Sequence, residues 1–340
     1  MAIGIGAFAV SRLIVLLGAY TRAAQVVTDR QSRGNPFPQS TRPMIEAIFM
    51  QWDGRWYRMI AESGYPSDLP ERITYITGDG ATVAFFPVYP YLARWFDVLF
   101  PGDIVQALLG VNVVLSVAAV VLVGLLARDL YGIPTAQRAM VLFVLFPGSV
   151  VLSWSYAEPA LIVCAAACLL FLQREQWALA GVAAAIGTAT RPNGVAIVAA
   201  CAVAAAIAIV RKRQWVSLVS VALAPVGVLA YHTYLRVHTG EWWAWNRAQR
   251  DAWNEGWSWG ATAIRFTWRF LENPLGTAPG ATYLHTAIAL ALFAFGLFCS
   301  IRVGLPWPML AYVAVIAVLM IGPDTVSARP RFVFTAFPLV

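Results

Sequence analysis

Asp53 stands among aromatic residues in Gln51-Trp52-Asp53-Gly54-Arg55-Trp56-Tyr57. Aromatic faces suit sugar stacking, and a carboxylate at hydrogen-bond distance can take the proton of a hydroxyl. The plainer reading is an Asp paired with Arg55 or Arg58 on a helix at a membrane surface. A second carboxylate, Glu158, breaks an apolar region in Trp154-Ser155-Tyr156-Ala157-Glu158-Pro159. At a helix start such a group can also be satisfied by local amides. Two further breaks carry arginine: Thr190-Arg191-Pro192-Asn193-Gly194 and Ser327-Ala328-Arg329-Pro330-Arg331. Guanidinium groups bind phosphate bidentately, and a helix starting after Arg191 adds backbone N–H donors for an anion. The plainer reading there is arginine reaching out to the interface. His232, His238 and His285 are scattered, and HExxH, GxGxxG, Walker A and GxSxG patterns are absent. Without a metal-ligand cluster, the residues predict chemistry that needs no metal and no bound cofactor.

These groups need elements to carry them, and composition says which. Of 340 residues, 60% are hydrophobic and only 12% charged, against about 25% charged in a soluble domain. That balance excludes a disordered chain, a nucleic-acid-binding tail and a secreted disulfide scaffold. It predicts an all-α polytopic membrane protein, one integral domain over 1–340 with nine to ten spans. The net charge of +7 belongs to cytoplasmic loops and anionic lipid rather than to nucleic acid. Cys164, Cys168, Cys201 and Cys299 lie in apolar runs and read as small buried hydrophobes. Lys212 is the only lysine, as high-GC coding bias would give. That bias, with no N-x-[ST] sequon, fits a bacterial plasma membrane.

The first apolar run, 2–20, is interrupted by Ser11 and Arg12 and reads as a retained span. A polar stretch over 21–83 follows. Within it 45–61 has the spacing of one amphipathic interfacial helix. Segment 84–100, with two prolines, Arg94 and Asp97, reads as interfacial or re-entrant. Further spans are expected at 104–127, 139–154, 159–173, 177–190, 194–210, 215–235, 283–301 and 306–322. The last run, 332–340, is too short to cross a core of about 30 Å and reads as a partial helix or a truncated end. The 236–282 loop is dense in tryptophan, with Arg247, Arg250, Arg265 and Arg269, and reads as an interfacial aromatic belt.

With the N-terminus in the cytoplasm, the loops at 128–138, 173–176, 211–214 and 302–305 are cytoplasmic and carry Arg128, Arg138, Arg174, Arg211, Lys212, Arg213 and Arg302. The positive-inside rule is then satisfied. The segments 21–103, 155–158, 191–194, 236–282 and 323–331 fall together on the other face, and they hold nearly all the distinctive polar residues. Polar groups at membrane depth are costly and mark function.

Taken in order, these motifs resemble a family. Gln51-Trp52-Asp53-Gly54-Arg55-Trp56-Tyr57, then Ile60-Ala61-Glu62-Ser63-Gly64-Tyr65, then Ala84-Phe85-Phe86-Pro87-Val88-Tyr89-Pro90 resemble the signature of PIG-V-type mannosyltransferases. Ser155-Tyr156-Ala157-Glu158 and Thr190-Arg191-Pro192-Asn193-Gly194 look like its later motifs, so the resemblance runs over about 11–340. It implies a helical membrane glycosyltransferase of the GT-C type, with polyprenyl-phosphate mannose as donor and inversion at the anomeric carbon. The position matching the family's catalytic Asp is Asp53. An acidic residue shortly before the third motif is represented by Asp79. Arg191, Arg329 and Arg331 are the candidates for the donor phosphate, whose developing charge they would stabilise. Trp52, Trp56, Tyr57, Asp79, Phe86, Tyr89, Tyr156, Glu158 and Asn193 are the candidates for holding substrate. The acceptor is expected to be a glycolipid, a lipoglycan or a protein, on the non-cytoplasmic face. Two other classes fit the spans: a transporter or flippase of a lipid-linked sugar, and a non-catalytic scaffold subunit.

Overall fold

The computed structural model describes residues 2–32, 41–76, 78, 80–274, 276, 280–325 and 331–340. They form an all-α polytopic membrane protein; the β-pairing among them is an isolated bridge of Trp257 with Pro323. The chain falls into two compact units, Met1–Gly64 with Pro87–Val163 and Tyr65–Phe86 with Cys164–Val340.

The first unit holds α1 (Ala2–Ser32), α2 (Thr41–Phe49), α3 (Asp53–Ser63), α4 (Val88–Leu99), α5 (Ile104–Tyr131), α6 (Ile133–Leu145) and the start of α7 (Glu158–Gln173). Three expectations are corrected here. Helix α1 does not stop near Tyr20, because 21–32 is free of Gly and Pro and rich in Arg, Ala and Gln, which continue a helix. The expected helix over 45–61 is two helices, broken where Trp52 takes a positive φ of 54°. The span expected at 139–154 is displaced to α6, which ends ahead of Pro147. Phe146, the residue before that proline, is extended (ψ 137°). A turn of 3-10 helix, Pro147–Leu152, replaces the missing half.

Val10, Leu13, Ile14 and Leu17 of α1 face outward, as lipid contact requires, while Phe8, Ser11, Ala19 and Ala23 face in. Helices α1, α5 and α6 pack around the buried Met140, whose side chain lies against Gly4 and Gly124. Met140→Ala is expected to cost about 2–5 kcal/mol, read as a lowered melting temperature in detergent.

The second unit continues α7 and adds α8 (Trp177–Thr188), α9 (Val195–Lys212), α10 (Leu218–Leu223), α11 (Val226–Thr239), α12 (Ala244–Trp253), α13 (Ala261–Glu272), α14 (Gly280–Val303), α15 (Trp307–Ile321) and α16 (Phe332–Thr335). The 215–235 span is interrupted at Pro225 and runs on to Thr239. The 236–282 loop contains α12 and α13. Ile264, Trp268 and Leu271 of α13 share one exposed face by their spacing.

Five helical runs are long and apolar enough to cross a membrane: Ala2–Arg30, Ile104–Tyr131, Pro192–Lys212, Trp215–Thr239 and Thr282–Val303. Helices α6, α7, α8 and α15 are apolar but shorter. The turns after α7 and α9 lie together. Lys212 is ion-paired with Glu175, and Gln214 Nε2 donates to it at 2.8 Å. These bonds hold the Glu175 carboxyl below its usual range.

Candidate functional site

Asp53 is the first residue of α3, where the unpaired N–H groups of the first turn favour a negative charge. The turn before it is fixed from the other motif of the same unit. Ser155 N–H donates to Phe49 O at 3.0 Å, and Ser155 Oγ lies 2.8 Å from Met50 Sδ. Gly54 makes this seating possible, since a Cβ at 54 would stand 3.3 Å from Ser155 Cβ. Trp52 and Trp154 meet at a tilt of 52° with centroids 5.0 Å apart, and Trp154 meets Tyr156 at 5.4 Å. A bulky residue at φ 54° costs on the order of 1–3 kcal/mol and persists only where its surroundings enforce it. Arg55 lies over the Trp56 ring at 4.0 Å.

The Trp154 segment is itself suspended from α5. Asn112 Nδ2 donates to Trp154 O and to Tyr156 O (3.0 Å), and Ser116 Oγ donates to Leu152 O at 3.1 Å. Asn112 lies eight residues into α5, about 12 Å from its start. Glu158 begins α7 and is fully buried. Tyr57 and Tyr89 meet edge to face at 5.0 Å, and Tyr89 donates to Leu108 O at 2.9 Å. Burial holds the Tyr89 phenol well above its ordinary range; Ser155 opposes this, and Tyr57 and Glu158 add to it. Tyr89 is therefore a neutral hydrogen-bonding group against Tyr57 of α3 and near the start of α7.

In the second unit Arg191 is extended (φ −160°, ψ 157°) and 6% exposed. The turn Pro192–Gly194 leads from it into α9, and a Cβ at 194 would run into the Gly187 carbonyl. Asn193 Nδ2 lies 3.5 Å from Thr335 Oγ1, and Tyr312 OH donates to Thr335 O at 2.8 Å. That contact places the turn after Arg191 beside α16, which Arg331 precedes and Thr335 ends. Phe86 belongs to a strap, 65–86, clamped on α11 and α12. Tyr231 OH donates to Val83 O (2.8 Å) and Phe85 O (2.9 Å), and Trp245 Nε1 to Ala84 O (3.2 Å). Phe86 rests on Tyr231 at 4.5 Å.

In the first unit, then, Tyr57 of the Asp53 motif meets Tyr89, and its Trp52 meets Trp154, which touches Tyr156 two residues before Glu158; in the second, Asn193 meets Thr335 of α16, the helix that Arg331 precedes. Asp79 and Arg329 lie outside the described residues. Sequence reasoning passed over Asn112 and Ser116, although two polar residues four apart in an apolar span are a visible signal. It also passed over Thr335 and Tyr231. Among the described residues, His, Cys, Asp and Glu form no group of three or more able to hold a metal ion. A scan of protein families matched none to this chain, and a search among curated proteins matched none either.

Proposed function

We propose that the protein is a membrane glycosyltransferase that moves a mannosyl residue from polyprenyl-phosphate mannose to a glycolipid, lipoglycan or protein on the non-cytoplasmic face. Asp53 accepts the proton of the acceptor hydroxyl as its oxygen bonds to the anomeric carbon. The carbon–oxygen bond to the phosphate breaks on the opposite side, and its electron pair leaves with the polyprenyl phosphate. The configuration is thereby inverted. Arg191 and Arg331 stabilise the phosphate charge that develops.

The observation that carries this reading is the seating of the Asp53 turn on the Ser155–Glu158 turn. It gathers a half-exposed carboxylate, a buried one and the rings of Trp52, Trp154 and Tyr156 at one place. A lipid-borne donor also suits a chain whose arginine turns lie at the ends of apolar helices.

The test is purified protein in vesicles with labelled polyprenyl-phosphate mannose and each acceptor class in turn. Label is expected to appear on an acceptor only when that donor is present. Donor movement across the bilayer with no transfer to any acceptor would replace this reading with transport.

A further inference from the structure

Ser11 and Arg12 interrupt the first span, and neither is used by the chemistry above. A charge within a span is costly and is kept for a reason. Each terminal nitrogen of Arg12 donates twice, always to a neutral acceptor. Nη1 reaches Ser149 O (2.8 Å) and Ser153 Oγ (2.9 Å), and Nη2 reaches Ser11 Oγ (2.8 Å) and Ser149 Oγ (3.1 Å). The guanidinium carbon stands 5.4 Å from the Phe8 ring centre. Ser11 Oγ and Ser149 Oγ both donate to Val144 O, at 2.7 and 2.8 Å. That carbonyl belongs to the last turn of α6, which has no helical partner for it.

The charge of Arg12 is thus directed at a bend in the backbone. The planar fork ties α1 to residues 149 and 153, and the Ser11 and Ser149 hydroxyls it also holds tie the end of α6; 153 is the residue before Trp154. From Trp154 the connections run through Ser155 to Phe49 and Met50, and so to Asp53.

We propose that Arg12 is a positioning residue: from within the first span its guanidinium sets the 149–156 turn on which the Asp53 turn is seated. Its effect on catalysis rests on the transferase reading; its effect on the turn does not. A lysine carries the charge but lacks the fork, so it replaces Arg12 only in part.

The experiment uses the full chain carrying Met50→Cys with Ser155→Cys, a pair whose parent side chains touch at 2.8 Å. Oxidative cross-linking is followed by mass spectrometry of the linked peptides. With Arg12 present the link is expected to form readily. In Arg12→Gln it is expected to form about tenfold more slowly, the population change that follows loss of charge-assisted bonds. Arg12→Lys is expected to fall between. In the native-cysteine background, Arg12→Gln is expected to lower kcat about 10–100-fold with the donor KM unchanged, as a displaced reacting group does. A cross-linking rate in Arg12→Gln equal to that with Arg12 overturns the proposal. If Arg12→Gln does not fold, Ser149→Ala with Ser153→Ala removes the two acceptor hydroxyls of the turn and keeps the charge. Slower linking is again expected there, and an unchanged rate overturns the proposal. Absence of sugar transfer in the wild type defeats the transferase reading alone, because the cross-link still reports on Arg12.

Discussion

Asp53→Asn is expected to leave the protein folded and to lower mannosyl transfer about 100- to 10,000-fold, the usual worth of a general base. The change replaces one oxygen by an amide nitrogen and alters little else. Losing the charge at the first turn of α3 costs about 0.3–1 kcal/mol, too little to unfold the helix. Asp53 is only half-buried, and its turn is held by backbone and ring contacts that the substitution does not touch. The loss should therefore fall on kcat, with both KM values and the melting temperature close to wild type. Steady-state kinetics and a thermal melt in the same detergent separate these quantities. Full activity in Asp53→Asn would take the base assignment away from this residue. Glu158→Gln is the natural comparison, since Glu158 is the other carboxylate at a helix start in this unit.

The second large effect is expected at Arg191. Arg191→Gln should lower the specificity constant for the donor about 100- to 1,000-fold, the scale of losing one preorganised donor to a developing oxyanion. The acceptor KM should stay near wild type. Arg191→Lys should recover only part of the loss, since an ammonium group offers a point charge where the phosphate calls for two parallel N–H bonds. The side chain is 6% exposed, so the variants must first be compared by melting temperature. Equal losses for donor and acceptor, together with a lowered melting temperature, would mark Arg191 as structural.

The membrane class was readable from composition, because helices of apolar residues are what a chain with so little charge can form in lipid. Two loop contacts agree with the span count inside their own units: Lys212 meets Glu175, and Ser155 meets Phe49. The helix ends were less readable. The stop at Leu145 depends on Pro147 overriding an apolar pattern that runs through it. The break at Trp52 follows no local rule, since tryptophan does not favour positive φ; it exists because Ser155 and Trp154 hold it. For the site, the residue types of Asp53, Glu158 and Arg191 drew attention unaided. Of the residues that position them, Arg12, Asn112 and Ser116 stand out as polar groups in apolar spans but name no partner in sequence, and Thr335 is informative only through its partners.

Helices α6, α8 and α15 have 13, 12 and 15 residues. At 1.5 Å per residue they span about 18–22 Å, against a hydrocarbon core of about 30 Å. Helices α1 and α5, with 31 and 28 residues, exceed it. One bilayer thickness cannot match both sets. A short helix is met by thinning of the lipid beside it, by flanking side chains reaching outward or by packing against neighbours, each at a cost of fractions of a kcal/mol per Å of mismatch. The consequence expected is a melting temperature that depends on the acyl-chain length of the surrounding lipid.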